Sequence, residues 1–113
     1  MGTASEIASV NEVVLVGRIS GYEERILPSG DCAAVFRVVV DRPPNDRGPS
    51  GRVAVDALDC VAWRASARRR LSSMPEGEWV RVQGSLRRRF WKAAGQPASR
   101  SEVEVREVRR VRP

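Results

Sequence analysis

The residues best suited to a chemical role form a short basic and aromatic stretch, residues 84–92, with the sequence GSLRRRFWK. Side chains on a β-strand alternate between two faces, so Arg87, Arg89 and Trp91 would share one face of a strand here. Guanidinium groups beside a flat ring suit single-stranded nucleic acid, whose phosphates attract cations and whose unpaired bases stack on aromatic rings. The same pattern also fits an exposed basic strand without a ligand.

The opposite face of this strand would carry Leu86, Arg88 and Phe90. The two apolar side chains predict that this face packs against a hydrophobic core. Arg88 lies on the apolar face by simple alternation, so its assignment to nucleic acid rests only on its neighbours.

The rest of the chain predicts a small β-barrel that positions this strand. Apolar and β-branched runs predict strands over residues 12–19 with a curved continuation over 21–27, then over 32–41, 52–62, 78–84 and 101–105. Good helix formers predict a short helix over residues 63–73. A proline-rich loop over 42–51 and a second loop over 93–100 would connect the strands. Five strands with one helix between the third and fourth predict an all-β OB-fold, a Greek-key barrel.

Three residue patterns refine this barrel. Gly17 inside the first strand predicts a bend or bulge there. The sequence Pro-Ser-Gly-Asp at residues 28–31 predicts a tight turn. Phe36 lies among aliphatic residues and favours core packing over base stacking, whereas Arg37 interrupts the other, apolar face of its strand and is a candidate phosphate contact.

Composition and charge restrict the function classes. The 113 residues suffice for one domain, predicted over 11–111 after a flexible segment 1–10. Residues 1–62 hold 6 arginines and 9 acidic residues, a net −3, while residues 63–113 hold 14 basic and 5 acidic residues, a net +9. Such asymmetry favours an anionic polymer as partner. Without a long apolar run or a signal-like N-terminus, we expect no membrane contact and a cytoplasmic, nucleoid-associated location.

Catalysis, metal binding and cofactors are not expected. The chain has no histidine, and its two cysteines, Cys32 and Cys60, lie in apolar segments without ligand-like spacing. We interpret both as small buried hydrophobic residues, with a disulfide as the second possibility. The carboxylates occur in surface-like strings such as Glu23-Glu24, and no nucleophile or phosphate-loop motif is present.

Five segments in order resemble bacterial single-stranded DNA-binding proteins over residues 11–111. They read NEVVLVGR from residue 11, ERILPSG from 24, VAWRASA from 61, VRVQGSLRRR from 80 and EVEV from 102. The resemblance implies an OB-fold, a homotetramer and binding of single strands without sequence preference in replication, repair or recombination.

The same resemblance implies which residues contact DNA. Trp63 and Trp91 match positions where the family stacks bases, whereas two further aromatic positions fall near Pro43-Pro44 and Ala57, which carry no rings. In the mechanism that we expect, and not by the resemblance, phosphates are neutralised by arginines, namely Arg18, Arg37, Arg64, Arg87 and Arg89, with Arg88 in addition. The family usually continues into an acidic tip that recruits other proteins, whereas this chain ends RRVRP, so recruitment is not carried over.

Two other functions fit the same sequence. A dimeric OB-fold accessory protein of the primosome would also be short and basic, and a dimer in solution would favour it. A structural or regulatory subunit whose barrel mainly contacts protein would use the first strand as its interface, and its arginines would form a solvated surface. Binding of an oligonucleotide would distinguish the single-strand binding protein and the primosomal accessory protein from this protein-contacting subunit.

Overall fold

The computed structural model describes residues 6–112 and shows a closed five-stranded barrel with one α-helix. The elements are β1 (Val13–Ile26), β2 (Cys32–Asp41), β3 (Val55–Ala62), α1 (Ala65–Ser72), β4 (Trp79–Ala93) and β5 (Gln96–Arg110). The strands close in the order β1-β2-β3-β5-β4, and only the β3–β5 pair is parallel. This architecture is the predicted OB-fold, with the helix between the third and fourth strands.

The core lies inside the barrel and follows the alternation of the strands. From β2 it receives Ala34, Phe36 and Val38, which confirms Phe36 as a core residue. The helix α1 adds Ala67 and Leu71, which are four residues apart and therefore on one helix face. Full burial of Leu71 contributes about 1.5–3 kcal/mol, and this contact holds the helix on the barrel.

The strand β1 pairs with two neighbours, and two glycines make this possible. Its first half pairs with β4 and its second half with β2. The irregularity predicted at Gly17 lies further along, between Ser20 and Glu23, where Gly21 has a φ of 65°. Gly17 instead permits a close backbone approach, because a Cβ there would lie 2.2 Å from the carbonyl oxygen of Val39.

The β4–β5 hairpin differs most from the sequence-based prediction. The predicted loop over 93–100 is wrong, because β4 and β5 are each 15 residues long and only Ala94 and Gly95 separate them. Both turn residues have positive φ, 52° and 79°, as a two-residue turn between twisted strands requires. Pro97, which suggested a loop, is tolerated because this part of β5 pairs only with β4 within residues 6–112.

Leu86 and Phe90 do not pack in the core, contrary to the prediction. They are 51% and 73% exposed. The reason is that β1 pairs with β4 only as far as Gly84, and β3 meets β5 only at Val103 and Glu104. The remaining part of the hairpin projects from the barrel, so neither of its faces has a core to cover it.

The other elements lie close to their predicted positions. The strand β2 has the predicted bounds, β3 begins three residues later than predicted, and α1 is shorter at both ends. The turn at residues 28–31 is confirmed, with Gly30 at a φ of 91°. Both cysteines are free thiols; Cys60 is buried and Cys32 is half-buried. Part of the predicted flexible segment 1–10 lies outside the described residues. None of the helices in residues 6–112 combines the length and apolar character needed to cross a membrane.

Candidate nucleic-acid interface

An open groove of about 430 Å³ lies on the outer surface of the barrel. Its floor is formed by β2 and β3, one wall by the second half of β1, and the other wall by the β4–β5 hairpin. We call this feature the groove. The curvature that β1 gains at its bulge and the length of the hairpin together make the surface concave, so that an extended polymer can lie in it.

The floor of the groove follows from the alternation of β2 and β3. Because Ala34, Phe36 and Val38 point into the core, Val35 and Arg37 point outward. Arg37 pairs in register with Asp59 on β3, and Arg37 Nε lies 3.4 Å from Asp59 Oδ1. The floor therefore presents a cation and an anion side by side.

The hairpin wall contributes an aromatic ring and a cation. Trp91 lines the groove and remains 46% exposed, so one face of its indole is available to a ligand. Two residues earlier on the same face, Arg89 stacks its guanidinium 5.8 Å from the centre of the Trp63 ring. Trp63, directly after β3, is thus linked to the hairpin wall through Arg89. At exposed sites such a cation–π contact contributes about 0.5–1 kcal/mol.

Each arginine of the groove has a carboxylate partner. Arg25 pairs with Glu23 at 2.6 Å, Arg89 pairs with Glu102 at 3.1 Å, and Arg100 and Arg37 share Asp59, at 3.2 and 3.4 Å respectively. The four arginines and three acids give the groove lining a net charge of +1. Ion pairs near the surface contribute only about 0–1 kcal/mol each, so a phosphate can replace Glu23 or Asp59 as the partner of an arginine at little cost. Glu102 differs, because its side chain is only 10% exposed and a buried carboxylate needs its partner.

Four of the predicted site residues lie together or in line. Arg37, Arg89 and Trp91 line the groove, and Trp63 contacts Arg89. Arg87 lies on the same hairpin face but nearer the barrel, where it pairs with Glu104 at 3.3 Å.

Three predicted residues lie outside the lining of the groove. Arg88 is on the opposite face of the hairpin, with its guanidinium 5.5 Å from the centre of the Phe90 ring. Arg64 is exposed at the N-cap of α1.

Arg18, the third of these residues, is held by its own contacts. It donates two hydrogen bonds to Asp41, at 3.0 and 3.1 Å, and lies over Trp79. These hydrogen bonds lower the pKa of Asp41 and raise that of Arg18. A phosphate that bound Arg18 would have to replace both of these hydrogen bonds, and Arg18 lies outside the lining of the groove.

Sequence reasoning missed Arg25, Arg100 and the three carboxylates of the groove. Arg100 falls in the predicted loop, although Arg100, Glu102 and Glu104 alternate along one face of β5 and would have indicated a strand. Ala57 is exposed on β3 and Pro44 begins a short 3-10 turn. Neither position carries an aromatic ring.

Comparisons with known proteins agree with this architecture. The model of the single-strand binding protein family matches residues 10–111. Single-stranded DNA-binding protein A of Bacillus subtilis is 32% identical over 106 residues, 92% of this chain and 60% of that protein. The single-stranded DNA-binding protein of Thermotoga maritima is 30% identical over 101 residues, 88% of this chain and 72% of that protein.

The fold is also that of a solved structure. The chain titled Plasmodium falciparum SSB complex with ssDNA superposes with a TM-score of 0.71 at 24% identity, covering 91% of this chain and 94% of that one. This chain spans 60% and 48% of the lengths of two of the curated relatives, from Bacillus subtilis and Streptococcus agalactiae. The family description names a binding protein, in agreement with the expectation that the chain is not an enzyme. The family model matches residues 10–111, which include all five strands, and this match shows that the chain belongs to the single-strand binding protein family.

Proposed function

We propose that this chain binds single-stranded DNA without sequence preference. The observation that carries the proposal is the groove, in which the exposed ring of Trp91 stands beside arginines whose partners can be exchanged. Support also comes from the relatives, whose names describe binding of single-stranded DNA. Only unpaired bases can place their faces on an indole ring, so the same groove disfavours duplex.

Binding proceeds by exchange of ion-pair partners and by stacking. Phosphates take the place of Asp59 beside Arg37 and Arg100 and approach the exposed side of Arg89, which keeps its nearly buried partner Glu102, and a base stacks on Trp91. Arg87 continues this row of cations along the hairpin. With rings missing near Pro43-Pro44 and near Ala57, the chain has fewer stacking positions, each worth about 1–3 kcal/mol. We therefore expect Trp91 to carry a large share of the affinity.

The oligomeric state of the chain and the DNA processes that it serves are a further part of its proposed function. We infer a homo-oligomer, a tetramer, that assembles through the outer face of β1, because Val14 and Val16 are exposed there beside β4. Bound to single strands, the oligomer would protect them during replication, repair or recombination in the cytoplasm and nucleoid. Light scattering should give the mass of a tetramer; the mass of a dimer would instead favour the primosomal accessory function.

A fluorescence titration tests the proposed function. Tryptophan emission should be quenched by a thymine oligomer and far less by a duplex of the same length. Titration with an RNA of that length shows whether the protein prefers DNA or RNA. Trp91→Ala should weaken binding about 5- to 150-fold, the equivalent of one stacked base. The matched control is Trp79→Phe, because Trp79 lies under Arg18 outside the lining of the groove. Equal affinity of the Trp91 variant and the wild type would refute the stacking role.

A further inference from the structure

The β4–β5 hairpin has a second face, opposite the one that carries Arg89 and Trp91. Beyond Leu86 on β4 and Val103 on β5, the two strands pair only with each other within residues 6–112. The hairpin is therefore a two-stranded ribbon with both edges free. One of its faces lines the groove through Arg89 and Trp91. Phe90 lies between them and also borders the groove, but alternation places its side chain on the opposite face, beside Arg88. We call the other the outer hairpin face; it carries Arg88, Phe90, Lys92, Ser99 and Ser101.

The outer hairpin face resembles the groove in chemistry but not in charge balance. Phe90 is 73% exposed, more than Trp91, and Arg88 stacks 5.5 Å from its ring centre. Arg88 also donates a hydrogen bond of 3.1 Å to Ser99 Oγ, which fixes the guanidinium beside the ring.

No acidic residue stands on this face of the hairpin from Leu86 to Val103, where the register leaves only apolar, hydroxyl and basic side chains. On the groove side of the same ribbon, by contrast, Glu102 and Glu104 compensate Arg89 and Arg87. Arg88 and Lys92 therefore keep their charge free for an external anion. An exposed ring between two such cations is the arrangement that a base and its flanking phosphates require.

We propose that the outer hairpin face binds a second segment of the single strand that occupies the groove, with a base stacked on Phe90 and phosphates beside Arg88 and Lys92. Since adjacent strands lie only about 5 Å apart, DNA that leaves the groove crosses a narrow, unpaired edge to reach this face. The proposal rests on the proposed function and adds a second binding surface to it. DNA would thus hold the hairpin from both sides.

Binding at the groove and binding at the outer hairpin face can be distinguished with oligonucleotides of different length. A thymine oligomer of about 8 nucleotides, within the ~4–16 that one OB-fold covers, should occupy the groove alone, whereas one of about 30 should reach both faces. Phe90→Ala should therefore leave the affinity for the short oligomer unchanged and weaken that for the long one about 5- to 150-fold. Trp91→Ala, the matched control on the other face, should weaken both.

Two further measurements test the outer hairpin face independently of stability. Replacing Arg88 and Lys92 together with Gln should reduce the salt slope of the long oligomer by about 1.4, or ~0.7 for each phosphate that is no longer neutralised, and leave the slope of the short one unchanged. Photocrosslinking of a long oligomer containing 5-iodouracil, followed by peptide mapping, should give adducts at both Phe90 and Trp91.

Three other results of these experiments would each contradict a different part of the proposal. If the wild type binds neither oligomer, the proposed function fails. If it binds both and Phe90→Ala binds the long oligomer as tightly as the wild type does, the second binding surface fails while the groove stands. If Phe90→Ala lowers the oligomeric mass in light scattering, the outer hairpin face is an interface between copies of this chain and not a DNA site.

Discussion

Removing the charge of Asp59 should tighten DNA binding, because this carboxylate holds two arginines of the groove. Its oxygens lie 3.4 Å from Arg37 and 3.2 Å from Arg100, and its side chain is 33% exposed on the groove floor. Asp59→Asn keeps the shape of the side chain and releases both guanidinium groups from their anionic partner. The net charge of the groove lining rises from +1 to +2.

The size of the effect follows from Coulomb's law. A unit charge about 7 Å from a phosphate contributes ~0.6–2.4 kcal/mol for effective dielectric constants between 80 and 20. At 0.01 M salt, where screening over this distance is weak, Asp59→Asn should therefore bind a thymine oligomer about 3- to 60-fold more tightly. At 0.15 M the Debye length of ~8 Å reduces the energy to roughly 40%, which leaves a gain of about 1.5- to 5-fold.

The assay is tryptophan quenching at both salt concentrations, with Glu107→Gln as the control. Glu107 lies beside α1, away from the groove, and its substitution makes the same change in net charge. It should improve affinity less than about twofold. Weaker or unchanged binding of Asp59→Asn at low salt would refute the exchange of partners, and an equal gain in Glu107→Gln would show that only total charge matters. Thermal unfolding of both variants checks that the barrel is intact.

The remaining predictions concern stability and reactivity. Gly17→Ala should lower the free energy of unfolding by about 1–3 kcal/mol, because its Cβ would lie 2.2 Å from a backbone oxygen of β2; urea denaturation with an unchanged midpoint would contradict this close approach. Ala94→Asn should slow hydrogen exchange in the hairpin, since asparagine tolerates the positive φ of 52° better than alanine does; faster exchange would contradict the turn geometry. Burial raises the pKa of Cys60 to about 12, so iodoacetamide at pH 8 should modify this thiol only after unfolding, whereas rapid modification of the native protein would place it at the surface. Hydrogen bonds from Arg42 lower the pKa of Asp56 from 3.8, so the stabilisation by this pair is present above about pH 4 and is lost as the pH falls through the lower, folded-state pKa; Asp56→Asn should flatten the acid side of the stability curve, and an unchanged curve would show that the pair makes no difference.

The sequence predicts a strand well where its two faces have different surroundings, one the core and the other solvent. The strand β2 has the core on one side and solvent on the other, so its alternation gives the bounds and the burial of Phe36 directly. The hairpin lacks this contrast, because both of its faces meet solvent. Leu86 and Phe90 therefore alternate without being buried, and the pattern that predicts burial elsewhere is wrong there.

The cations of the groove were partly predictable, but their partners were not. Arg37 and Arg89 stand out because each interrupts or extends a recognisable strand pattern. Asp59 does not stand out, since a single acid in a strand is common on any solvated surface. Only the register of β2 with β3, and the approach of Arg100 from β5, make Asp59 a member of the site.

The distribution of charge shows why a basic sequence does not imply a basic groove. The second half of the chain carries a net +9, yet it contributes only +1 to the groove, through Arg89, Arg100 and Glu102. Much of the excess lies beside α1, where Arg70 and Arg109 line a separate depression. We therefore expect the long-range attraction of DNA to be a property of the whole barrel, and the affinity of the groove to depend on exchanging carboxylates for phosphates and on the ring of Trp91. For the same reason, substitutions of arginines outside the groove should alter the rate of association and its salt dependence, whereas the lifetime of the complex should respond to Trp91.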